Sequence, residues 1–169
     1  MPNPVIKLIE YVCMNESDLR SLYDFAAPIW FECYKDVLQH GQIDYLTHKY
    51  FDYQNVLNIK DNGMIYENIM YNDTKAGFIA YCINADHIYL DKIYLLSDFR
   101  GNHISSSAFD YLQERYSLPI RLNVNQGNAV AVRAYKGRGF EIIEEKSYPL
   151  PGGYTNVDYI MEKPFSQNK

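Results

Sequence analysis

The stretch Asn128–Phe140, NAVAVRAYKGRGF, reads as a helix with both ends written into it. Asn128 is a preferred N-cap, because its side-chain oxygen accepts from the unpaired amides of the first turn. Gly139 stops the helix, since glycine enters the left-handed conformation without steric cost. Phe140 then begins a core strand. Ala131 and Tyr135 lie four residues apart and share one face. A small residue beside a phenol leaves a slot next to the ring. On spacing alone, the segment is either a capped amphipathic helix with a packed tyrosine or the wall of a site.

Working outward, Ile120–Val124 is a short strand, and Asn102–Tyr116 has apolar residues at helical spacing through Ile104, Ala108, Tyr111 and Leu112. His87–Leu96 is a strand. Met64–Tyr71 and Ala76–Ile83 form a hairpin turning at Asn72-Asp73-Thr74. Val5–Val12 is the first strand. A helix capped by Asn15 or Ser17 follows it and is kinked or ended by Pro28. Helical stretches continue over Trp30–Leu38 and Ile43–Ile59. Beyond the central segment come a strand over Phe140–Glu145, a loop over Pro149–Gly153 and a last strand over Tyr154–Glu162. The order is β-α-α-β-β-β-α-β-α-β-β. This is an α/β (α+β) class: a mixed, mostly antiparallel sheet of about 6–7 strands with helices on both faces. The strand–helix–strand–helix run over 87–140 places a ligand at the carboxyl ends of its strands.

The chain has 169 residues, the size of one domain. Hydrophobic residues at 47% and charged residues at 22% are ordinary globular usage. Sixteen basic against 21 acidic side chains give a net charge of −5, which excludes a broad nucleic-acid footprint and mildly favours a cationic partner. The 17 tyrosines either line a pocket or reflect half-buried strands. Cys13, Cys33 and Cys82 are odd in number and form no CxxC, which fits free thiols in a reducing compartment. The start MPNPVIKLIEYV lacks a basic segment followed by an apolar one, and no apolar run approaches membrane-spanning length, so a soluble cytoplasmic protein is expected. His40, His48 and His87 lack metal-ligand spacing, and no metal is expected.

The pattern Asn128-x-x-Ala131-x-x-x-Tyr135-x-x-x-Gly139-Phe140, preceded by the strand residues LNV, resembles the second coenzyme-binding motif of the GNAT-type N-acetyltransferases. The resemblance implies that Asn128 contacts the pantetheine arm, Ala131 lies along it, and Tyr135 protonates the departing thiolate. Upstream, Leu95-Leu96-Ser97-Asp98-Phe99-Arg100-Gly101-Asn102-His103-Ile104-Ser105 is similar to the family's pyrophosphate loop. Leu95 stands in the Val place, Ser97 in the Pro place, and Arg100 matches. His103 and Ser105 occupy the two small-residue places. Such a loop binds anions through unpaired amides at a helix N-terminus. The coenzyme-binding set implied is therefore Arg100, Gly101, Asn102, His103, Ile104 and Ser105, with hydroxyls of Ser106 and Ser107 added. An outward-turned His103 ring leaves the amides free. The backbone of Ile93, Tyr94 and Leu95 would pair with the pantetheine arm and polarise the acetyl carbonyl.

Asp91 is an acid inside an apolar strand, where Asp is disfavoured. It is either an ion-pair partner of Lys92 or, as the resemblance implies, the base that takes the amine's proton. By the same resemblance, helices over about 15–60 form the acceptor side, 87–140 the coenzyme core, and 140–163 a C-terminal hairpin of one acetyltransferase-like domain. Acceptor-binding candidates are Trp30, Glu32, Tyr34 and Asp36 from the helical region, and Tyr148 and Tyr154 about the 149–153 loop. Trp30 and Tyr34 at helical spacing suit an aromatic wall for an ammonium. The ending Val157–Lys163 is similar to a bacterial branch that includes polyamine acetyltransferases. The resemblance as a whole implies acetyl transfer from acetyl-CoA to a primary amine of a small molecule or peptide, and a homodimer through the C-terminal strands. His103 and Ser105 also suit an alternative, a degenerate relative that binds acyl-CoA as a sensor or interaction module without catalysis.

Overall fold

The computed structural model describes residues 8–101 and 103–167. Strand β1 (Ile9–Cys13) leads into four helices: α1 (Glu16–Arg20), α2 (Leu22–Tyr34), α3 (His40–Phe51) and α4 (Tyr53–Asp61). Three strands follow: β2 (Ile65–Tyr71), β3 (Thr74–Ile83) and β4 (Ile88–Leu95). A short 3-10 turn over Ser97–Phe99 precedes α5 (Ile104–Tyr116), β5 (Ile120–Asn125) and α6 (Ala129–Gly137), and a hairpin of β6 (Glu141–Leu150) and β7 (Tyr154–Lys163) ends the chain. The strands form one seven-stranded sheet in the order β1-β2-β3-β4-β5-β7-β6. Only the β4–β5 pair is parallel.

The class and strand pattern expected from the sequence are those observed. The N-terminal helices differ. Pro28 sits inside α2 rather than ending it, because Ala26, Ile29 and Trp30 around it are buried and hold the segment helical. The breaks fall at Ser21, which closes α1 with its hydroxyl on Ser17 O at 2.9 Å, and at Asp52, whose extended ψ of 135° divides the expected Ile43–Ile59 helix in two. The expected Pro149–Gly153 loop is also shorter. Pro149 and Leu150 remain paired with Thr155 and Tyr154. Proline is tolerated there because β6 is an edge strand. Of the expected first strand, residues 5–7 lie outside the described residues.

Two cores sandwich the sheet. On one face Ile79, Tyr81, Ile88 and Leu90 pack with Phe109 and Leu112 of α5 and Val132 of α6. On the other, Phe78 and Ala80 pack with Leu22, Trp30, Phe51 and Val56 of the N-terminal helices. The β2–β3 turn is tight: Asn72 and Asp73 both have positive φ, 48° and 67°, as a two-residue type I′ hairpin requires. Gly77 allows close approach of β3 to β4, since a Cβ there would lie 2.0 Å from Tyr94 O.

α6 carries the ends foreseen for it. Asn128 Oδ1 accepts from Ala131 N at 3.1 Å. Gly139 has φ +93°, Phe140 N donates to Tyr135 O at 3.0 Å, and Gly139 N to Lys136 O at 3.1 Å. This is a Schellman closure, completed by the Tyr135–Phe140 ring contact at 5.4 Å.

Candidate active site

β4 and β5 pair only at Ile88↔Ile120 and Tyr89↔Arg121. Beyond Tyr89 each strand keeps its other neighbour, β3 or β7, and the two diverge. Leu96 N donates to Ala76 O. By antiparallel alternation the backbone groups of Tyr94 and Lys92 then face β3, while those of Leu95 and Ile93 face the gap. The backbone groups of Ile93 and Leu95 are thus turned away from β3 into the gap, with Leu95 O accepting from Arg100 Nε. Tyr94 is a correction: its backbone is turned to β3, and its hydroxyl meets that of Tyr34 at 3.0 Å.

The gap opens a cleft of about 220 Å³ whose walls include Ile93, Leu95, Arg100, Ser105, Asn128, Ala131 and Tyr135. The slot beside Tyr135 foreseen from the Ala131 spacing is therefore real. Tyr135 packs on Phe109 and Phe140. Burial raises its pKa to about 12, with Arg138 opposing, so the phenol is a proton donor at neutral pH.

At the mouth of the cleft, Gly101 (φ +84°) and His103 (φ +59°) both turn left-handed, and His103 is exposed. Among the described residues no side chain caps the start of α5, and a helix N-terminus favours an anion. Asn102 lies outside the described residues. Ile104 belongs to the core, 1% exposed, and contributes only its amide. Arg100 departs from a purely phosphate-facing role: its Nε donates to Leu95 O at 3.3 Å and its guanidinium lies 3.8 Å from Cys33 Sγ. Ser106 and Ser107 are engaged elsewhere, accepting from Arg138 and Tyr11 at 3.0 Å each.

A second cavity, about 400 Å³, lies on the other side of β4. Trp30 and Tyr34 form the expected aromatic wall, with centroids 4.6 Å apart, and Tyr50 and Tyr94 extend it. Tyr148 also lines this cavity, its hydroxyl accepting from Asn123 Nδ2 at 3.1 Å. Tyr154 lines a neighbouring hollow instead, while exposed Glu32 pairs with Lys35 at 3.1 Å. Tyr34, Asp91, Tyr94 and Asn123 line both cavities and mark where they meet.

Asp91 is the extra residue of a β-bulge, since Ala80 pairs with Lys92 and Tyr81 with Leu90. A bulge re-aims a side chain. Both readings of Asp91 meet here: it lines the site, and it holds Lys92 Nζ at 2.5 Å. Lys92 is 5% exposed and lies over the Tyr50 ring at 4.0 Å. Asp158 was not singled out from the sequence. It lies in the same cavity, and an acid inside a strand, the signal that marked Asp91, marks it equally. The tyrosine excess serves both this cavity and a second cluster, where Tyr81 and Tyr111 donate to buried Glu67 at 2.8 and 3.1 Å. Among the described residues no group of His, Cys, Asp or Glu side chains is disposed to hold a metal, and no helix is long and apolar enough to cross a membrane.

A splayed parallel strand pair, a helix N-terminus beside it and a second cavity across the strand suit an extended, anionic ligand on one side and a second ligand on the other. Residues 19–140 match the acetyltransferase (GNAT) family, and the chain belongs to it. No curated protein matches the sequence. The fold is shared with the PaiA N-acetyltransferase of Thermoplasma acidophilum, solved with coenzyme A (22% identity, 94% of this chain and 99% of that one, TM-score 0.71). It is shared too with the ribosomal-protein-S18-alanine N-acetyltransferase of Escherichia coli (18%, 97% of each, 0.65) and a GCN5-related N-acetyltransferase of Rhodopseudomonas palustris (14%, 94% and 95%, 0.73). The activity is that of the family: transfer of acetyl from acetyl-CoA to an amine.

Proposed function

We propose that the protein acetylates a cationic primary amine that enters through the aromatic cavity and meets the thioester at the wall shared by the two cavities. The observation that carries this reading is that wall, since Tyr34, Asp91, Tyr94 and Asn123 line both sides. Ile93 and Leu95 hold the pantetheine arm by their backbones, with Asn128 and Ala131 along it. The α5 N-terminus, with Gly101, His103, Ser105 and Arg100 about it, receives the phosphates. Leu95 N–H stabilises the developing oxyanion. Tyr135 hydrogen-bonds the departing sulfur. A phenol at about 12 is a weaker acid than an ordinary thiol near 8.5, so it stabilises charge as the C–S bond lengthens rather than transferring its proton early. Asp91, the acid that the resemblance implies as base, stands at that junction with its carboxylate on Lys92.

The test is acetyl transfer to a panel of primary amines, read by thiol release. The panel includes a polyamine, the substrate type of the branch that the 157–163 ending resembles. Coenzyme binding without turnover of any amine would sink this reading and favour the sensor alternative. The cytoplasm is the proposed compartment, consistent with three unpaired cysteines. A homodimer through the C-terminal strands is also proposed. Support comes from β6 at the sheet edge, with Ile142 and Ile143 exposed. Light scattering at a monomer mass would overturn it.

A further inference from the structure

Asp158 on β7 is 7% exposed and lines the acceptor cavity. It is held in place from below. Asn123 Nδ2 donates to it at 3.2 Å, and the Asn156 side chain lines the same cavity. Asn123 is itself fixed, accepting from the Tyr89 hydroxyl at 3.0 Å and donating to that of Tyr148 at 3.1 Å. The groups facing Asp158 are Tyr89, Asp91 and Lys92 from β4, Lys49 and Tyr50 from α3, Tyr34 from α2, and Lys146 and Tyr148 from β6. β5 presents only the amides of Asn123 and Asn125.

None of the three lysines neutralises it. Lys92 is held by Asp91 at 2.5 Å, and Lys49 lies 5.6 Å above the Tyr50 ring. Lys146 stands opposite Asp158 in register but has its Nζ 4.0 Å from Glu144. A buried carboxylate without a cation is costly, so its place in a cavity implies a cation or proton arriving from outside. Burial pushes its carboxyl pKa up, against the Asn123 amide, which suits a proton acceptor.

Resting on the acetyltransferase reading above, we infer that Asp158 receives the acceptor's ammonium and removes its proton, while Asp91 is occupied by Lys92. The ammonium N–H bond breaks and its proton passes to a carboxylate oxygen of Asp158. The freed lone pair forms the C–N bond at the thioester carbonyl. The C–S bond then breaks with its electron pair on sulfur, which takes a proton from the Tyr135 hydroxyl; the second amine proton restores Tyr135 through water, and Asp158 gives its proton to solvent before the next turnover. Tyr50 and Tyr89, whose pKa values are pushed up by burial first and then by Asp91 and Asp158, flank the entering cation.

The experiment is calorimetric titration of phenethylamine into the coenzyme A-saturated protein, with 3-phenylpropan-1-ol as the uncharged control. The wild type is expected to prefer the amine by about ten-fold or more, and Asp158→Asn to erase that preference without changing coenzyme affinity. In turnover, Asp158→Asn lowers kcat about 100-fold and flattens the rise of kcat with pH, and Asp158→Glu restores part of both. A carboxyl whose folded pKa is raised binds more protons folded than unfolded, so it destabilises above that pKa. Asp158→Asn therefore raises Tm at neutral pH, by about 2–4 °C for each kcal/mol relieved, where a merely structural carboxylate would lower it. Amine preference and pH profile surviving in Asp158→Asn, or lost in Asp91→Asn instead, would overturn the inference. Failure of the wild type to bind coenzyme would remove the acetyltransferase reading and this inference with it. Coenzyme binding with no amine preference would remove this inference alone.

Discussion

The coenzyme cleft and the acceptor cavity share a wall but are built in opposite ways. The cleft follows backbone features: the open edge of β4, the start of α5, and the gap left beside Ala131. Nearly all of it comes from one run of chain, residues 90–135, with only Cys33 and Tyr34 added. The acceptor cavity is made of side chains drawn from α2, α3, β4, β5, β6 and β7. A backbone site suits a ligand that many proteins share. A side-chain site can be rewritten one residue at a time, which is where specificity resides.

The comparison breaks most visibly at Ala131. Replacing it with Phe fills the cleft. Overpacking of about 1–3 kcal/mol corresponds to a loss of acetyl-CoA affinity of up to about 100-fold, with phenethylamine binding retained, both by calorimetry. Equal loss at both sites would show that the two cavities are not separable. Next comes Tyr135→Phe, which keeps the ring packing and removes the donor. We expect kcat to fall about ten-fold or more with KM for acetyl-CoA little changed; an unchanged kcat excludes Tyr135 from the chemistry. On the other side of the wall, Tyr148→Phe removes an acceptor from Asn123 and so loosens Asp158. One hydrogen bond of about 0.5–1.5 kcal/mol predicts a 2–10-fold rise in KM for the amine and none for acetyl-CoA. The smallest effect is Gly139→Ala. At φ +93° a Cβ costs about 1 kcal/mol, so thermal melting should show a Tm lower by about 2–4 °C with kinetics nearly intact.

The same contrast decides what the sequence made legible. Asn128, Gly139 and Phe140 act on their own helix, and each does in the structure what its local chemistry dictates. The I′ turn at Asn72-Asp73 is equally local. At Pro28 a kink or an end was expected and the helix does not end, and Pro149 was read as loop but is paired in β6; the signal at each is local and the deciding term is not. Burial of Ala26, Ile29 and Trp30 carries α2 through Pro28, and the edge position of β6 excuses Pro149 from the ladder. Asp158 was passed over because its cavity exists only once β7 lies beside β5, opposite α3. Asp91 was read two ways, as an ion-pair partner and as a base; the ion pair with Lys92 is observed, and its bulge places it at the junction of the two cavities.

Titration of the protein with acetyl-CoA tests the central claim, that the gap between β4 and β5 is a coenzyme site. A single site with Kd of about 1–100 μM is predicted, weakened by Ala131→Phe. No heat and no competition up to about millimolar coenzyme would contradict the account.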